Sequence, residues 1–145
     1  MTVASPIDIV YVALIRDRTV LLQRRHNTGF MDGYFSCAAA GHVEPAESPI
    51  AAACREATEE LGILIAPSDL RPLAVRDRRQ EPAAPAPSHR DHFFLCRTWG
   101  GAPGIAEPQK CAELRWFSFD DLPSALVPHE APILAGLAEL DGPLH

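Results

Sequence analysis

The sequence predicts a mixed α/β fold in one domain that spans residues 1–145. A chain of 145 residues falls within the usual size of a single domain, roughly 100–150 residues. Several β-rich runs are separated by turn signals, and one amphipathic helix with distinct start and stop residues interrupts them. Apolar residues make up 47% and charged residues 22%, which is typical of globular proteins. Strands and helices that are interspersed along the chain predict a mixed α/β architecture.

The first predicted elements are a pair of strands. IDIVYVALI (7–15) and TVLLQRR (19–25) are β-rich runs joined by a short polar turn, which predicts a hairpin. The segment HNTGFMDG (26–33) is predicted as a loop. YFSCAAAG (34–41) follows as a short apolar strand, and LRPLAVRDR (70–78) is predicted as another strand after the helix.

The second half of the chain begins with a proline-rich segment. QEPAAPAPSHR (80–90) has three prolines within six residues, which excludes a helix or a central strand and predicts an exposed, mobile loop. DHFFLCRTW (91–99) is then predicted as a buried strand and GGAPG as a turn. ELRWFSF (113–119) is predicted as an alternating strand with Leu114 and Trp116 facing inward. DDLPSAL (120–126) and HEAPILAGLAEL (129–140) are predicted as closing helices.

Charge and cysteine usage restrict the partners and the compartment. A net charge of −6 disfavours a nucleic-acid polymer or a membrane surface, because both are polyanions that bind basic proteins. The first residues contain neither a basic leader nor an apolar run long enough to span a bilayer, so the cytosol is the expected compartment. The four cysteines are widely spaced, with no Cys-x-x-Cys pair, and free thiols are expected. The sequence is compatible with a homodimer.

The helix beginning after Ser48 has two distinct faces. Ser48 and Pro49 are a strong start signal, and Gly62 is the matching stop. At 100° per residue the small and apolar residues fall on one stripe: Ile50, Ala53, Cys54, Ala57 and Leu61. Three carboxylates share another sector: Glu56, Glu59 and Glu60.

This carboxylate cluster is unfavourable for the helix itself. Like charges three or four residues apart cost roughly 0.2–0.5 kcal/mol per pair, and Arg55 alone cannot neutralise three glutamates. Clustered carboxylate oxygens suit Mg²⁺, which commonly bridges protein carboxylates to substrate phosphates. The alternative is an ordinary solvated helix face, which is the usual meaning of a charge run.

The residues around the helix decide between these alternatives. Seven residues have the spacing G-x5-E-x7-R-E-U-x-E-E-x-G-U, where U is small or apolar, and they are Gly41, Glu47, Arg55, Glu56, Glu59, Glu60 and Gly62. This is the Nudix box, matched at every fixed position, and the chain therefore resembles the Nudix hydrolase family. The strands before the box and ELRWFSFDDLP after it are also similar to the family, so the resemblance spans most of the chain.

The resemblance implies a fold, a reaction and a set of roles. The fold is an α/β/α sandwich around a mixed sheet, with the box forming a loop, a helix and a loop. The reaction is Mg²⁺- or Mn²⁺-dependent hydrolysis of nucleoside diphosphates linked to another group. The implied metal ligands are Glu56, Glu59, Glu60 and the backbone carbonyl of Ala40. Arg55 and Glu47 would orient them, and Glu56 is one candidate for the general base.

Two residues outside the box are implied by the same resemblance or by their chemistry. Glu107 follows a strand and a glycine-rich turn, where MutT-like members carry a further metal ligand or general base. Its alternative is a solvated loop carboxylate. Arg25 ends a strand before the 26–33 loop and is predicted to contact substrate phosphate or base, since guanidinium groups pair well with phosphate oxygens. A plain surface charge is the alternative.

Several further residues have two interpretations each. The basic cluster could steer a polyanion to the site or could be a solvated strand edge, and it comprises Arg71, Arg76, Arg78 and Arg79. Phe30, Tyr34 and Phe93 could stack on a base or belong to the core. His42 adjoins the box as a substrate contact or a surface residue. His89 and His92 point to opposite faces of a strand, so no zinc site is predicted there.

Departures from subfamily patterns narrow the substrate. No tyrosine follows Tyr34, so the mark of dinucleoside polyphosphate hydrolases is missing. Pro82 lies later than the proline of ADP-ribose hydrolases, and the coenzyme A signature is not matched. A nucleoside triphosphate pyrophosphatase is therefore favoured over an ADP-ribose or nucleotide-sugar pyrophosphatase and over a non-catalytic nucleotide sensor. DDLPSALVPHE has no asparagine, the residue with which the MutT type reads the base, so specificity for oxidised guanine is not predicted.

Overall fold

The computed structural model describes residues 5–78 and 88–140. Within these residues it contains seven β-strands, three α-helices and one 3-10 turn. In chain order they are β1 (Ile7–Arg16), β2 (Thr19–Arg25), β3 (Phe35–Cys37), β4 (Ala39–His42), α1 (Pro49–Leu61), the 3-10 turn (Pro67–Asp69), β5 (Leu70–Arg78), β6 (His89–Cys96), β7 (Cys111–Ser118), α2 (Ala131–Ala135) and α3 (Leu137–Leu140).

The sheet is mixed, as predicted. Strand β1 runs parallel to β6 and antiparallel to β4, and β5 is antiparallel to β6. The order β4-β1-β6-β5 forms one continuous surface. The hairpin turn pairs Ile15 with Val20 and leads into β2, which pairs with β3 on one side and β7 on the other. Strand β1 thus belongs to both parts of the sheet.

Alternating residues of β1 divide the core between two faces. Val10, Val12 and Leu14 pack towards α1. Tyr11, Ala13 and Ile15 pack on the opposite face, where α2 and α3 contribute Leu134 and Leu137. Because one helical layer covers each face, the structure is the α/β/α sandwich that the sequence predicted.

Helix α1 has the predicted bounds. The Ser48 hydroxyl accepts a hydrogen bond from the Ala51 amide at 3.1 Å, and Gly62 ends the helix with a positive φ of 70°, a conformation that glycine adopts without steric cost. The small residues Ala52, Ala53 and Ala57 are fully buried. Small side chains let the helix lie close to the sheet, which brings the carboxylates of its other face to the edge strand β4.

Two predicted helices near the C-terminal end of the chain were wrong or incomplete. DDLPSAL was predicted as a helix, but residues 120–126 form no helix. The amide of Phe35 bonds to Ala125 O at 2.7 Å, and the amide of Val127 bonds to Phe35 O at 2.9 Å, so the segment ends alongside β3. The predicted helix 129–140 begins at Ala131 and is broken at Gly136 into α2 and α3.

Two strands also differ from the prediction. YFSCAAAG forms two short strands, because Phe35–Cys37 pairs with β2 whereas Ala39–His42 pairs with β1. Strand β6 starts at His89, inside the segment predicted as loop, and ends at Cys96. The rest of that proline-rich segment, residues 80–87, lies outside the described residues. The predicted strands β1, β2, β5 and β7 are confirmed.

The tryptophans form one cluster on the α1 side of the sheet. Trp99 and Trp116 stack with ring centroids 6.3 Å apart. The guanidinium of Arg16 lies 5.4 Å from the Trp99 ring centroid and 4.7 Å from that of Trp116, in cation–π geometry. Both rings pack against the core cluster that contains α1.

Two further expectations concern the cysteines and the membrane. All four cysteines are free, as expected. Over residues 5–78 and 88–140, none of the helices has the length and apolar character needed to cross a bilayer.

Candidate active site

A cleft of about 750 Å³ lies where α1 meets the edge of the sheet. Its floor is the face of β1 that carries Ile9 and Tyr11, and its walls come from β4, α1, the loop after β2 and the segment before α2. The volume falls within the roughly 300–1,000 Å³ of ordinary small-molecule sites. One end carries Glu56 and Glu60 of α1, and we call it the acidic end. The other carries Arg78, His89 and His129, and we call it the distal end.

Glu60 is held against the strand β4 and the side chain of Gln23. One of its oxygens accepts the Ala40 amide at 3.2 Å, and the other lies 3.5 Å from the side-chain amide of Gln23. Burial, reinforced by the neighbouring Glu56, raises the pKa of Glu60 to about 9. Without a cation nearby, this carboxyl therefore keeps its proton at neutral pH.

Gly41 explains how a second carboxylate fits beside the first. A Cβ atom at this position would lie 2.3 Å from Cδ of Glu56, far inside van der Waals contact. The Glu56 carboxylate thus occupies the space where a side chain at position 41 would stand, and any larger residue there would displace it. Glu56 and Glu60 both line the cleft.

Arg55 connects the box into one hydrogen-bonded unit. It forms a two-pronged pair with Glu47, at 2.8 Å from Nε and 3.0 Å from Nη2, and its Nη2 also donates to the His42 carbonyl at 3.0 Å. Its Nη1 donates to Glu56 at 2.8 Å and to Glu59 at 3.2 Å. The bonds from Arg55 to Glu47 lower the pKa of the Glu47 carboxyl to about 2. Arg55 thereby fixes the loop before the helix relative to the helix carboxylates.

Glu107 reaches the same cleft from a distant part of the chain. The Ala106 amide bonds to the Glu60 carbonyl at 3.0 Å, which ties the loop to the end of α1. The Glu107 carbonyl then accepts the amides of Lys110 and Cys111 at 3.0 and 3.2 Å, forming a turn. Glu107 and Lys110 both line the cleft.

The remaining predicted residues are distributed unevenly. Ala40 and Arg25 line the cleft, whereas Glu59 does not and has a side chain that is 52% exposed. Arg25 braces its own loop, donating to the Phe30 carbonyl at 2.7 Å and to the Thr28 hydroxyl at 3.0 Å.

The structure also gives the positions of the residues that had two interpretations. Of the basic cluster, Arg78 lines the cleft, Arg71 and Arg76 are exposed, and Arg79 lies outside the described residues. Phe93 is in the core. Phe30 and His42 are exposed at the cleft.

Sequence reasoning missed a buried polar network at the distal end. Tyr11 donates to Asp91 at 3.1 Å, and Arg78 pairs with both Asp91 oxygens at 2.9 and 3.1 Å. Glu130 is 2% exposed and accepts the Cys37 amide at 2.7 Å, and burial raises its pKa to about 7. Polar residues within apolar strands, such as Asp91 in HRDHFFLC, were the available signal.

Gln23, which lines the cleft and contacts Glu60 at its acidic end, was also missed. Its side-chain nitrogen donates to the carbonyls of Cys37 and Ala38 at 3.1 and 3.2 Å, in addition to its contact with Glu60. A glutamine among the apolar residues of TVLLQRR was its signal in the sequence. It supports the backbone that leads into β4 and the carboxyl that faces it.

The acidic end is chemically suited to a divalent cation, although no preformed cage exists. Among residues 5–78 and 88–140, no group of three His, Cys, Asp or Glu side chains is arranged to hold a metal. Arg55 Nη1 instead contacts Glu56 and Glu59. The oxygen donors fit Mg²⁺ or Mn²⁺, and a cation would favour the ionised form of the buried Glu60.

Comparisons with known proteins agree with the resemblance found in the sequence. The profile of the family described as NUDIX domain matches residues 6–137. A crystal structure of the MutT NUDIX hydrolase from Burkholderia pseudomallei is 29% identical, with a TM-score of 0.79 over 93% of this chain and 100% of that one. The solution structure of the E. coli ORF135 protein is 25% identical, with a TM-score of 0.76 over 97% and 96% of the two chains.

A more distant match adds only to the fold. MutT of Aliivibrio salmonicida and Vibrio cholerae is represented by a structure that is 20% identical, with a TM-score of 0.65 over 90% of this chain and 98% of that one. No curated protein matches the sequence. The intact box, the α/β/α sandwich and the match over residues 6–137 together place this chain in the Nudix family of hydrolases, which act on pyrophosphate bonds.

Proposed function

We propose that this protein is a metal-dependent nucleoside triphosphate pyrophosphohydrolase of the MutT-like type, which releases a nucleoside monophosphate and pyrophosphate. The observation that carries the proposal is the acidic end of the cleft, where Glu56 lies against Gly41 and Glu60 accepts the Ala40 amide within a nucleotide-sized volume. The likeness to a MutT hydrolase at 29% identity over 93% of this chain supports the substrate class.

In the proposed reaction, Glu56, Glu59, Glu60 and the Ala40 carbonyl would hold Mg²⁺ or Mn²⁺, with Glu107 as a further ligand or as the general base. The metal would neutralise phosphate charge and lower the pKa of the attacking water. Arg55 and Glu47 orient the carboxylates, which is the work of groups that hold metal ligands. Glu56 or Glu107 removes the proton from water. Arg25 and Lys110 face the cleft with positive charge and bind phosphate oxygens.

The first test is a hydrolysis panel with and without Mg²⁺ or Mn²⁺. It should include ribo- and deoxyribonucleoside triphosphates, ADP-ribose and nucleotide sugars, with products separated by chromatography. We expect metal-dependent release of pyrophosphate from triphosphates. Preferred cleavage of ADP-ribose or a nucleotide sugar would replace the proposed substrate class, and nucleotide binding without any turnover would indicate a sensor.

A matched pair of variants tests the site itself. Glu56→Gln keeps the size of the side chain but removes the charge, and we expect kcat/KM to fall at least about 100-fold, since even groups behind the ligands commonly contribute 10–100-fold. Glu139→Gln makes the same change at an exposed position of α3 and should leave kcat/KM unchanged. Full activity of Glu56→Gln would contradict the assigned role.

A further inference from the structure

The distal end of the cleft is built across neighbouring strands. The registers place Ile9 beside both His42 of β4 and Asp91 of β6, and place His89 beside Arg78 of β5. From β4 to β5 there are three inter-strand steps, so this surface is roughly 14 Å across at about 4.8 Å per step. An extended nucleotide with its phosphates at Gly41 can therefore place its base over Tyr11, His89 and Arg78.

The hydrogen bonds at this end determine the tautomer of His129. Arg78 binds both oxygens of Asp91, so Asp91 is an ionised acceptor. Tyr11 donates its only proton to Asp91 at 3.1 Å. The Tyr11 oxygen lies 3.0 Å from Nε2 of His129, and it has no proton left to donate to it. Nε2 of His129 must therefore carry the proton.

The other ring nitrogen of His129 is consequently an acceptor. Burial lowers the pKa of His129 to about 4, so the ring is neutral at physiological pH and its Nδ1 has a free lone pair. His129 lines the cleft. Within residues 5–78 and 88–140, the hydrogen bond of this ring is the one from Nε2 to Tyr11, which leaves Nδ1 available to a ligand.

A second observation points independently to a ligand at this end. His89 is only 9% exposed, lines the same cleft, and has a buried Nδ1 without a hydrogen-bond partner among the described residues. Buried polar atoms are normally paired, by a bound molecule or water if not by protein. The exposed ring of Phe30, whose centroid lies 6.2 Å from that of His129, adds an apolar surface on which a flat ring can stack.

We propose that the distal end binds the nucleobase and that His129 Nδ1 accepts a hydrogen bond from an exocyclic amino group of that base. The inference rests on the proposed function for the position of the phosphates. An amino group supplies the proton that Nδ1 lacks, whereas a carbonyl in the same place sets two lone pairs against each other. The protein therefore selects amino-bearing bases over their keto counterparts.

The test compares nucleotide pairs in which a carbonyl replaces the exocyclic amino group and the adjacent ring nitrogen gains a proton. CTP against UTP and ATP against ITP each exchange an amino group for a carbonyl. We expect kcat/KM to be about tenfold higher for the amino member of each pair, the effect of one good hydrogen bond together with the avoided mismatch. Calorimetric binding of CMP, UMP, AMP and IMP gives the same comparison without turnover.

Two variants of His129 separate the two ring nitrogens. His129→Gln places an amide near the position of Nε2, which keeps a donor for Tyr11 but removes the acceptor at the position of Nδ1. The CTP/UTP and ATP/ITP ratios of kcat/KM should then both be close to one. His129→Asn places an amide near Nδ1 and should keep the preference. Melting temperatures of both variants verify that they are folded.

The outcomes separate this inference from the proposed function. If no triphosphate is hydrolysed, the proposed catalytic function fails, and monophosphate binding alone decides the base preference. Equal kcat/KM and equal affinity within each pair in the wild-type protein would overturn the inference. A preference that persists unchanged in His129→Gln would also overturn it, because the discriminating group would then lie elsewhere.

Discussion

At the scale of single residues, the site depends on the absence of a side chain at Gly41. The Glu56 carboxylate lies where a Cβ atom would be, so glycine is needed for contact rather than for backbone freedom. The sequence identified Gly41 through its place in the box, but the reason for glycine there is visible only once α1 and β4 are brought together.

Gly41→Ala should therefore damage function more than folding. The added methyl would push the end of the Glu56 side chain away, and a displacement of about 1 Å in a catalytic arrangement can cost on the order of 100-fold in rate. We expect kcat/KM to fall by that amount, and the Mg²⁺ concentration at half-maximal activity to rise. Steady-state kinetics across a Mg²⁺ titration measure both.

Gly104→Ala is the matched control. A Cβ at Gly104 meets no atom within 4 Å, so this variant should keep wild-type kinetics. If Gly41→Ala also kept them, the close packing of Glu56 against β4 would have no part in activity.

At the scale of elements, a helix or strand is predicted correctly from sequence when the contacts that fix its conformation lie close together in the chain. Helix α1 has the predicted ends because Ser48, Pro49 and Gly62 act within one turn of the helix. The segment DDLPSAL was misassigned because its conformation is fixed by bonds to Phe35, far away in the chain. No local pattern in the segment indicates that pairing.

The cap of α1 provides a test of this local control. Ser48→Ala removes the acceptor for the Ala51 amide and should lower the free energy of unfolding by about 1 kcal/mol, or the melting temperature by about 4 °C. Ser124→Ala, at an exposed position, should change neither. Urea and thermal unfolding of both variants provide the comparison, and an unchanged Ser48→Ala protein would mean that packing alone holds the helix end.

At the scale of the whole molecule, the acidic end was predictable and the distal end was not. The box residues lie within 23 consecutive positions, 41–63, and one local helix presents most of their side chains. The distal network joins Tyr11, Asp91 and His129, whose contacts span 80 and 118 residues of sequence. Only the strand registers and the packing of the segment before α2 bring these residues together.

The buried Glu130 makes global stability depend on pH. Its pKa is about 7 in the folded protein, against an ordinary value near 4.5, so between these values the folded state retains a proton that the unfolded state has lost. Stability contributed by Glu130 is present below about pH 4.5 and is lost as pH rises through 7. A shift of this size corresponds to roughly 3 kcal/mol.

Glu130→Gln isolates this contribution because glutamine cannot titrate and can still accept the Cys37 amide. Urea unfolding between pH 4.5 and 8 should show the variant gaining stability relative to wild type up to about pH 7, with a constant difference above it. His129, whose lowered pKa has the opposite effect on stability, is present in both proteins and cancels. A difference that does not vary with pH would show that Glu130 does not titrate in this range.

The stacked pair of Trp99 and Trp116 has a practical consequence. These are the two tryptophans of the chain, they lie together beneath Arg16, and neither lines the cleft. Indole emission should thus remain nearly constant when a nucleotide or a metal ion enters, yet change sharply when the chain denatures. Fluorescence can then follow unfolding in the presence of ligand without interference from ligand binding. Ligand binding itself needs a fluorescent probe at another position, and the exposed Phe30 is the natural choice.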